Sequence, residues 1–439
     1  MVRVAPIGAP AWTWTRVWAW VWAWAWAWAW ARAWRLGLCG ALCLSALSCG
    51  GGGGGGSLSP GGSSGGPPSG FNVVSVVVDA GPTSTSPDVN TLFTSVKVCV
   101  PGSTTSCQTI DHIQVDTASY GLRILAPVLT LTLPVQRTAN GDSLLECTQF
   151  VDGYSWGPVA SADMQIGGES AASVPMQVIG DSRFPTVPPD CSSLGKAEDT
   201  VAAFGANGIL GVGVFAQDCG QACVTTALAA TYYACSSAAA CQATTVPLVD
   251  QVPNPVTLFA KDNDGVIIQL PNIAAQGAAT VTGSMIFGID TQANNKSGSQ
   301  SVLTVDANAG DFTTIFNGQS LTQSFLDTGS NALYFNDSTL PQCTASNLTG
   351  FYCPAGTQTL SAVLQGQNAV SASLTFGVAS AATLGANDPS LVAFATLAGT
   401  YSSSTDVFDW GLPFYFGRTV YMAFENATTS VDTGPYVAF

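Results

Sequence analysis

Two segments, IQVDTASYGLRIL at 113–125 and QSFLDTGSNALYF at 323–335, repeat one pattern 211 residues apart. Each is an apolar, strand-like run, then Asp-Thr-small-Ser, then a second apolar run. A strand that ends in a tight turn of small residues holds its Asp at a fixed place, and the Thr and Ser hydroxyls hydrogen-bond locally across such a turn. One such turn is a common capping device. Two, each flanked by strands, imply an internal duplication that brings Asp116 and Asp327 together. A chain built this way folds as two similar halves.

The rest of the chain from Phe71 agrees with an all-β fold. NVVSVVVDA, TSVKVCV, HIQVDTAS and LTLTLPVQ are short, β-branched runs bounded by Gly, Pro, Ser or Asp. Charged residues are only 9% of the chain, too few for the Lys- and Glu-rich faces of surface helices. The best helical stretch is CVTTALAATYYAC at 223–235, with a weaker one at 385–400.

Downstream of Cys49 stand 27 acids and 8 bases, a net of −19. Such a surface repels nucleic acid and anionic lipid, so nucleic-acid binding is excluded. His112 is the only histidine, which removes poly-His zinc sites. His112, Gln114 and Asp116 fall on one face of a strand by alternation, and a satisfied strand histidine is expected there rather than a relay base. Ten cysteines follow the leader: Cys99, Cys107, Cys147, Cys191, Cys219, Cys223, Cys235, Cys241, Cys343 and Cys353. The short spacings Cys99–Cys107 and Cys343–Cys353 read as hairpin-closing disulfides formed in an oxidising compartment. Disulfides are favoured over zinc for the four between 219 and 241, with their pairing open. No metal site and no cofactor are expected.

Residues 1–48 read as a leader outside the fold, carrying a Trp-Ala repeat with ten Trp between 12 and 34. Arg32 and Arg35 form a basic region before the apolar run Leu36–Ser48. The run LSALSCG at 44–50 resembles a bacterial lipobox with Cys49 as the acylated residue; plain signal-peptide cleavage is the alternative. Residues 50–70, GGGGGGGSLSPGGSSGGPPSG, bury nothing and read as a flexible tether spanning roughly 25 Å. The chain is thus expected to be exported, either held at the bacterial envelope by its lipid alone or secreted.

The paired segments resemble the catalytic Asp-Thr-Gly-Ser loops of pepsin-like (A1-type) aspartic peptidases, and further residues follow in that family's order. FVDGYSWGPVASADMQIGG (150–168) resembles the flap hairpin, with Tyr154 or Trp156 in the place of the Tyr over the cleft. NGILGVG (207–213) resembles the apolar-apolar-Gly segment that crosses under the first Asp. GSMIFGIDTQANN (283–295) and DFTTIFNGQSL (311–321) resemble the start of the second lobe, and 408–439 the terminal strand set. The likeness covers about 72–439 and is closest to an exported, lipoprotein-like bacterial branch.

The resemblance implies a bilobal double β-barrel with few short helices, its lobes at 71–275 and 276–439. It implies Asp116 and Asp327 as the catalytic dyad, with Thr117 and Thr328 locking the loops. Ser119 and Ser330 would orient the outer carboxylate oxygens, and Gly329 would complete the second loop. Two carboxylates held about 3 Å apart cannot both ionise, so they share a proton and activate a water. The substrate would be a peptide or protein, acted on by a monomer. The chain departs from the pattern at Ala118, which replaces a Gly, and at Asp409-Trp410-Gly411, which stands where the family has two apolar residues before Gly. The alternative function is a lobe pair that binds a polypeptide or glycan without cleaving it.

Overall fold

Val, Ile and Thr pack well on a pleated surface, so runs such as VVSVVV and GVIIQ favour extended backbone. Both form strands, Val73–Val78 and Gly265–Gln269. The computed structural model describes residues 70–82, 88–193, 195–386, 388–402 and 404–439. The leader, Cys49 and the tether before Gly70 lie outside the described residues.

The described residues form an all-β, bilobal fold with few short helices, built on a sixteen-stranded and a seven-stranded sheet. The larger sheet closes on itself where Leu92–Cys99 pairs with Gly153–Ile166, Lys97 opposite Gln165. It continues from Val73–Val78 into Val281–Phe287, Gly265–Gln269 and Thr419–Ala423, so late strands extend the sheet begun by early ones. The expected lobe boundary at 275/276 falls in the connection between two of these paired strands. The smaller sheet holds Phe312–Phe316, Gln319–Leu326, Gln358–Gln365 and Ser371–Val378, with three short strands at one end. Its core is aromatic: Phe335 stacks on Phe408 at 4.6 Å and Phe408 on Trp410 at 4.0 Å.

The duplication read in the sequence is present in the topology. In the first half, Cys107–Asp116 runs parallel to Gly208–Val212, and Tyr120–Leu125 runs antiparallel to that same strand. In the second half, Gln319–Leu326 runs parallel to Asp409–Trp410, and Leu333–Tyr334 runs antiparallel to it. Each Asp-Thr-small-Ser turn therefore straddles a short central strand. The registers make Leu210 and Trp410 counterparts, each opposite a leucine (Leu122, Leu333), and likewise Ile209 and Asp409. Close packing under the turns needs glycine: a Cβ on Gly211 would stand 2.4 Å from the Tyr120 nitrogen, and one on Gly411 2.1 Å from the Ala332 oxygen.

Both helix expectations are corrected. Within 223–235 only the end of the helix Gln221–Thr225 is helical, and Tyr232–Ser237 is a strand. The tyrosines are drawn into the sheet, Tyr232 opposite Glu146 and Tyr233 opposite Leu145, and this pairing overrides local propensity. The described residues of 385–400 form turns and the strand Ala398–Gly399. That segment is pinned instead by Asn90, whose Oδ1 accepts from the Phe394 N–H at 2.7 Å and whose Nδ2 donates to the Phe394 carbonyl at 2.9 Å.

Candidate active site

Each Asp sits where an apolar strand enters its small-residue turn, and burial follows: Asp116 is 2% exposed and Asp327 3%. The two turns are joined by a reciprocal exchange. The Thr117 N–H donates to Thr328 Oγ1 at 3.2 Å, and the Thr328 N–H to Thr117 Oγ1 at 3.0 Å. Each hydroxyl then donates across the junction, Thr117 to the Leu326 carbonyl at 3.1 Å and Thr328 to the Val115 carbonyl at 2.7 Å. With the Thr117 proton so placed, the Tyr415 hydroxyl 3.0 Å away is the donor of that contact. Gln114 Nε2 adds a bond to the Gly329 carbonyl at 3.2 Å. Buried bonds of this kind contribute about 1 kcal/mol each, and losing one partner costs more because the other is left dry.

The exchange brings the carboxyls together. A Cβ built on Gly329 would lie 2.8 Å from Asp116 Cγ and Oδ1 and 3.0 Å from Asp327 Oδ1. Backbone donors hold one oxygen of each: Ala118 N–H to Asp116 Oδ1 at 2.8 Å and Gly329 N–H to Asp327 Oδ1 at 2.7 Å. Burial, and then the neighbouring Asp116 charge, push Asp327 up to about 7. Neither Ala118 nor Gly329 has positive φ, so the Ala118 methyl meets no backbone strain.

Beyond this point the halves differ. Ser330 Oγ lies 2.9 Å from Asp327 Oδ2 and 2.6 Å from Asp409 Oδ2. Ser119 Oγ is buried with no hydrogen-bond partner among the described residues, so it does not orient an oxygen of Asp116 as expected. The counterpart of Asp409 in that half is Ile209, which offers Ser119 nothing to bond. Asp409 and Tyr415 are the residues of this site whose contacts the sequence reading did not foresee. The signal for Asp409 was present, since an acid interrupted an otherwise apolar strand.

The hairpin of Ser143–Gln149 and Gly153–Ile166 carries both flap candidates, and the structure places their side chains in a small separate core. Trp156 Nε1 donates to the Phe184 carbonyl at 3.0 Å, and its ring meets Tyr233 edge-on at 5.3 Å. Tyr154 is buried in the same cluster, and no recorded bond joins either residue to Asp116 or Asp327. Burial first, and then the Asp409, Asp152 and Asp327 charges, raise the Tyr334 hydroxyl. A hollow of about 390 Å³ beside Lys97, Thr109 and Gly168 contains no residue of either turn.

His112 is half-buried, its ring edge-on to Phe93 at 5.2 Å. The strand pairing shifts register between Thr94 and Val96, and His112 opposite has φ of 47°. This bulge interrupts the alternation that would have put His112 on the face of Gln114 and Asp116. Its ring nitrogens lie 3.4 Å from Asp79 and 3.3 Å from Asp111. All ten cysteines of the fold pair, as Cys99–Cys107, Cys147–Cys191, Cys219–Cys223, Cys235–Cys241 and Cys343–Cys353. Five disulfides mark a chain that matures in an oxidising compartment. Among the described residues no helix is long and apolar enough to cross a membrane.

A family model described as protein of unknown function (DUF3443) matches residues 68–439, most of the chain and all of its described strands. No curated protein matches it.

Proposed function

We propose that this chain, which belongs to that DUF3443 family, is an exported, pepsin-like aspartic endopeptidase that cleaves peptide bonds with Asp116, Asp327 and a water. The observation that carries the reading is the convergence on Gly329 of two buried carboxyls, each held by a backbone N–H, with the turns locked by the threonine exchange. Because burial and Asp116 raise Asp327 to about 7, the pair keeps one shared proton through acid and near-neutral pH. The charged member takes a proton from water as the water attacks the peptide carbonyl. The neutral member donates a hydrogen bond to the developing oxyanion. The Ala118 and Gly329 N–H groups keep each carboxyl oriented through that exchange. In this proposal the protein is a monomer, held at the bacterial envelope through Cys49 or released from it.

Hydrolysis of a broad peptide mixture tests the reading. Activity should be highest in acid and fall as pH rises through about 7, where the shared proton leaves. Asp116→Asn and Asp327→Asn should each remove it almost completely while the proteins stay folded; unchanged turnover in either sinks the assignment. A second reading, binding of a polypeptide or glycan without cleavage, has the unbonded Ser119 oxygen on its side, since one half of the site lacks its outer support. Tight binding of a statine-type peptide by a protein inactive at every pH would select it.

A further inference from the structure

Counting protons in the site leads past the dyad. The Asp116 and Asp327 carboxyls converge on Gly329, and two like charges held so close share one proton. Ser330 Oγ carries a single proton yet stands between two more carboxyl oxygens, Asp327 Oδ2 at 2.9 Å and Asp409 Oδ2 at 2.6 Å. It can donate to one only, so the other contact requires a protonated carboxyl as donor. Three carboxyls thus hold two protons. A dyad that attacks water keeps one charge and shares one proton, and the second proton then falls to Asp409.

We propose that Asp409 is a third carboxyl of this site, that it is neutral while the dyad shares its own proton, and that it acts through Ser330 as a positioning residue for Asp327. This assignment of the second proton rests on the peptidase reading; the need for a proton at the Ser330 contact does not. Asp409 donates to Ser330, and Ser330 in turn donates to the outer oxygen of Asp327. The chain Asp409–Ser330–Asp327–Asp116 is directional, running from a buried donor to the one charge of the site.

The other half shows what the arrangement adds. Ile209 stands where Asp409 stands, and Ser119, the counterpart of Ser330, has a buried hydroxyl with no partner among the described residues. Among the described residues, a turn serine therefore bonds the outer oxygen of Asp327 and not that of Asp116. Asp409 itself is 2% exposed. Among the described residues, the titratable groups that face it include Asp327 across Ser330, Tyr334 on the adjoining strand, and Tyr415 just beyond the turn Leu412–Phe414. Tyr415 also feels Asp116 and Asp327.

The test needs no substrate. Aspartate is labelled with carbon-13 at its carboxyl, and the titration is followed by magnetic resonance in wild type, Asp409→Asn and Asp327→Asn. One resonance, absent in Asp409→Asn, should sit at the neutral carboxyl position at pH 6. Finding it at the ionised position overturns the proposal. Should Asp409→Asn not fold, Asp409→Glu supplies the same assignment, because the aspartate label is lost there too. Hydrolysis adds a second arm. Asn at 409 still donates to Ser330 and should leave the alkaline limb of the pH profile in place. Leu at 409 restores the apolar residue of the other half and removes that donor; it should move the limb by about a pH unit. Equal profiles for the Asn and Leu variants count against a positioning role. Wild type that never hydrolyses a peptide, with the 409 resonance neutral at pH 6, removes the peptidase reading and leaves the proton on Asp409.

Discussion

At the scale of single residues, the third position of each turn sets the distance between the carboxyls. A methyl on Gly329 would stand 2.8 Å from Asp116 Cγ and Oδ1, closer than carbon contacts allow, so Asp116 must move. Gly329→Ala should cost about 1–3 kcal/mol of stability through overpacking. A displacement of about 1 Å at the reacting centre should lower hydrolysis roughly a hundredfold. Full activity in Gly329→Ala would show that the carboxyl spacing is not set here. Ala118 behaves differently, since its φ is not positive and its N–H already binds Asp116. Ala118→Gly should only loosen the unfolded chain, costing about 0.4–1 kcal/mol with no gain in hydrolysis. Activity that rises from nothing in Ala118→Gly would mark the natural protein as a binder. Asp116, Thr117, Asp327 and Thr328 were legible in the sequence because their turn chemistry is local and stated twice. Ser119 was not, because its partner depends on Ile209, ninety residues away in the chain and apolar. The proton on Asp409 was hidden for the same reason, as it follows from a contact made by folding and not from a motif.

At the scale of elements, strands were legible and the short helices were not. Alternation and β-branching announce a strand within six or seven residues, and turn residues announce its end. The stretch 223–235 has a helical composition, but sheet pairing at Leu144–Glu146 and two local disulfides claim it first. The bulge between Thr94 and Val96 was likewise invisible, so the strict alternation read from His112 to Asp116 is interrupted at His112. The hairpin of Ser143–Gln149 and Gly153–Ile166 is tied down by Cys147–Cys191, which closes a span of 44 residues, whereas Cys219–Cys223 closes one of 4. Chain entropy makes the long closure worth about 4 kcal/mol and the short one about 2 kcal/mol. Replacing both cysteines of the first pair by Ser should therefore lower the melting temperature clearly more than replacing both of the second. Equal losses would mean that these bridges act through the native state and not by constraining the unfolded chain.

At the scale of the whole molecule, an acidic chain with few bases has buried several acids in forms that favour the proton. Burial, then Asp116, raises Asp327 to about 7; burial, then Asp152, raises Glu198 to about 8. Burial also raises Asp218, with Glu146 beside it, and raises Asp264. Fewer groups are held low. Against the penalty of burial, Arg183 lowers Asp181, and Ser297 and Ser430 lower Asp290. A carboxyl raised by folding keeps a proton that the unfolded chain releases above about pH 4, so its contribution is complete below that pH. That contribution is lost as pH climbs through 7 for Asp327 and 8 for Glu198. The lowered acids act oppositely, contributing above about pH 4 and failing only in stronger acid. Self-repulsion of a chain with net charge −15 adds to the loss at high pH. Stability should therefore peak in mild acid, at about pH 4–5, and fall steadily toward pH 9. Glu198→Gln isolates one contributor, because a neutral amide mimics the protonated acid. Its melting temperature should match wild type at pH 4 and exceed it at pH 9. A wild-type melting temperature that rises from pH 5 to pH 8 would overturn this account. A Glu198→Gln gain as large at pH 4 as at pH 9 would show that its effect is packing rather than charge.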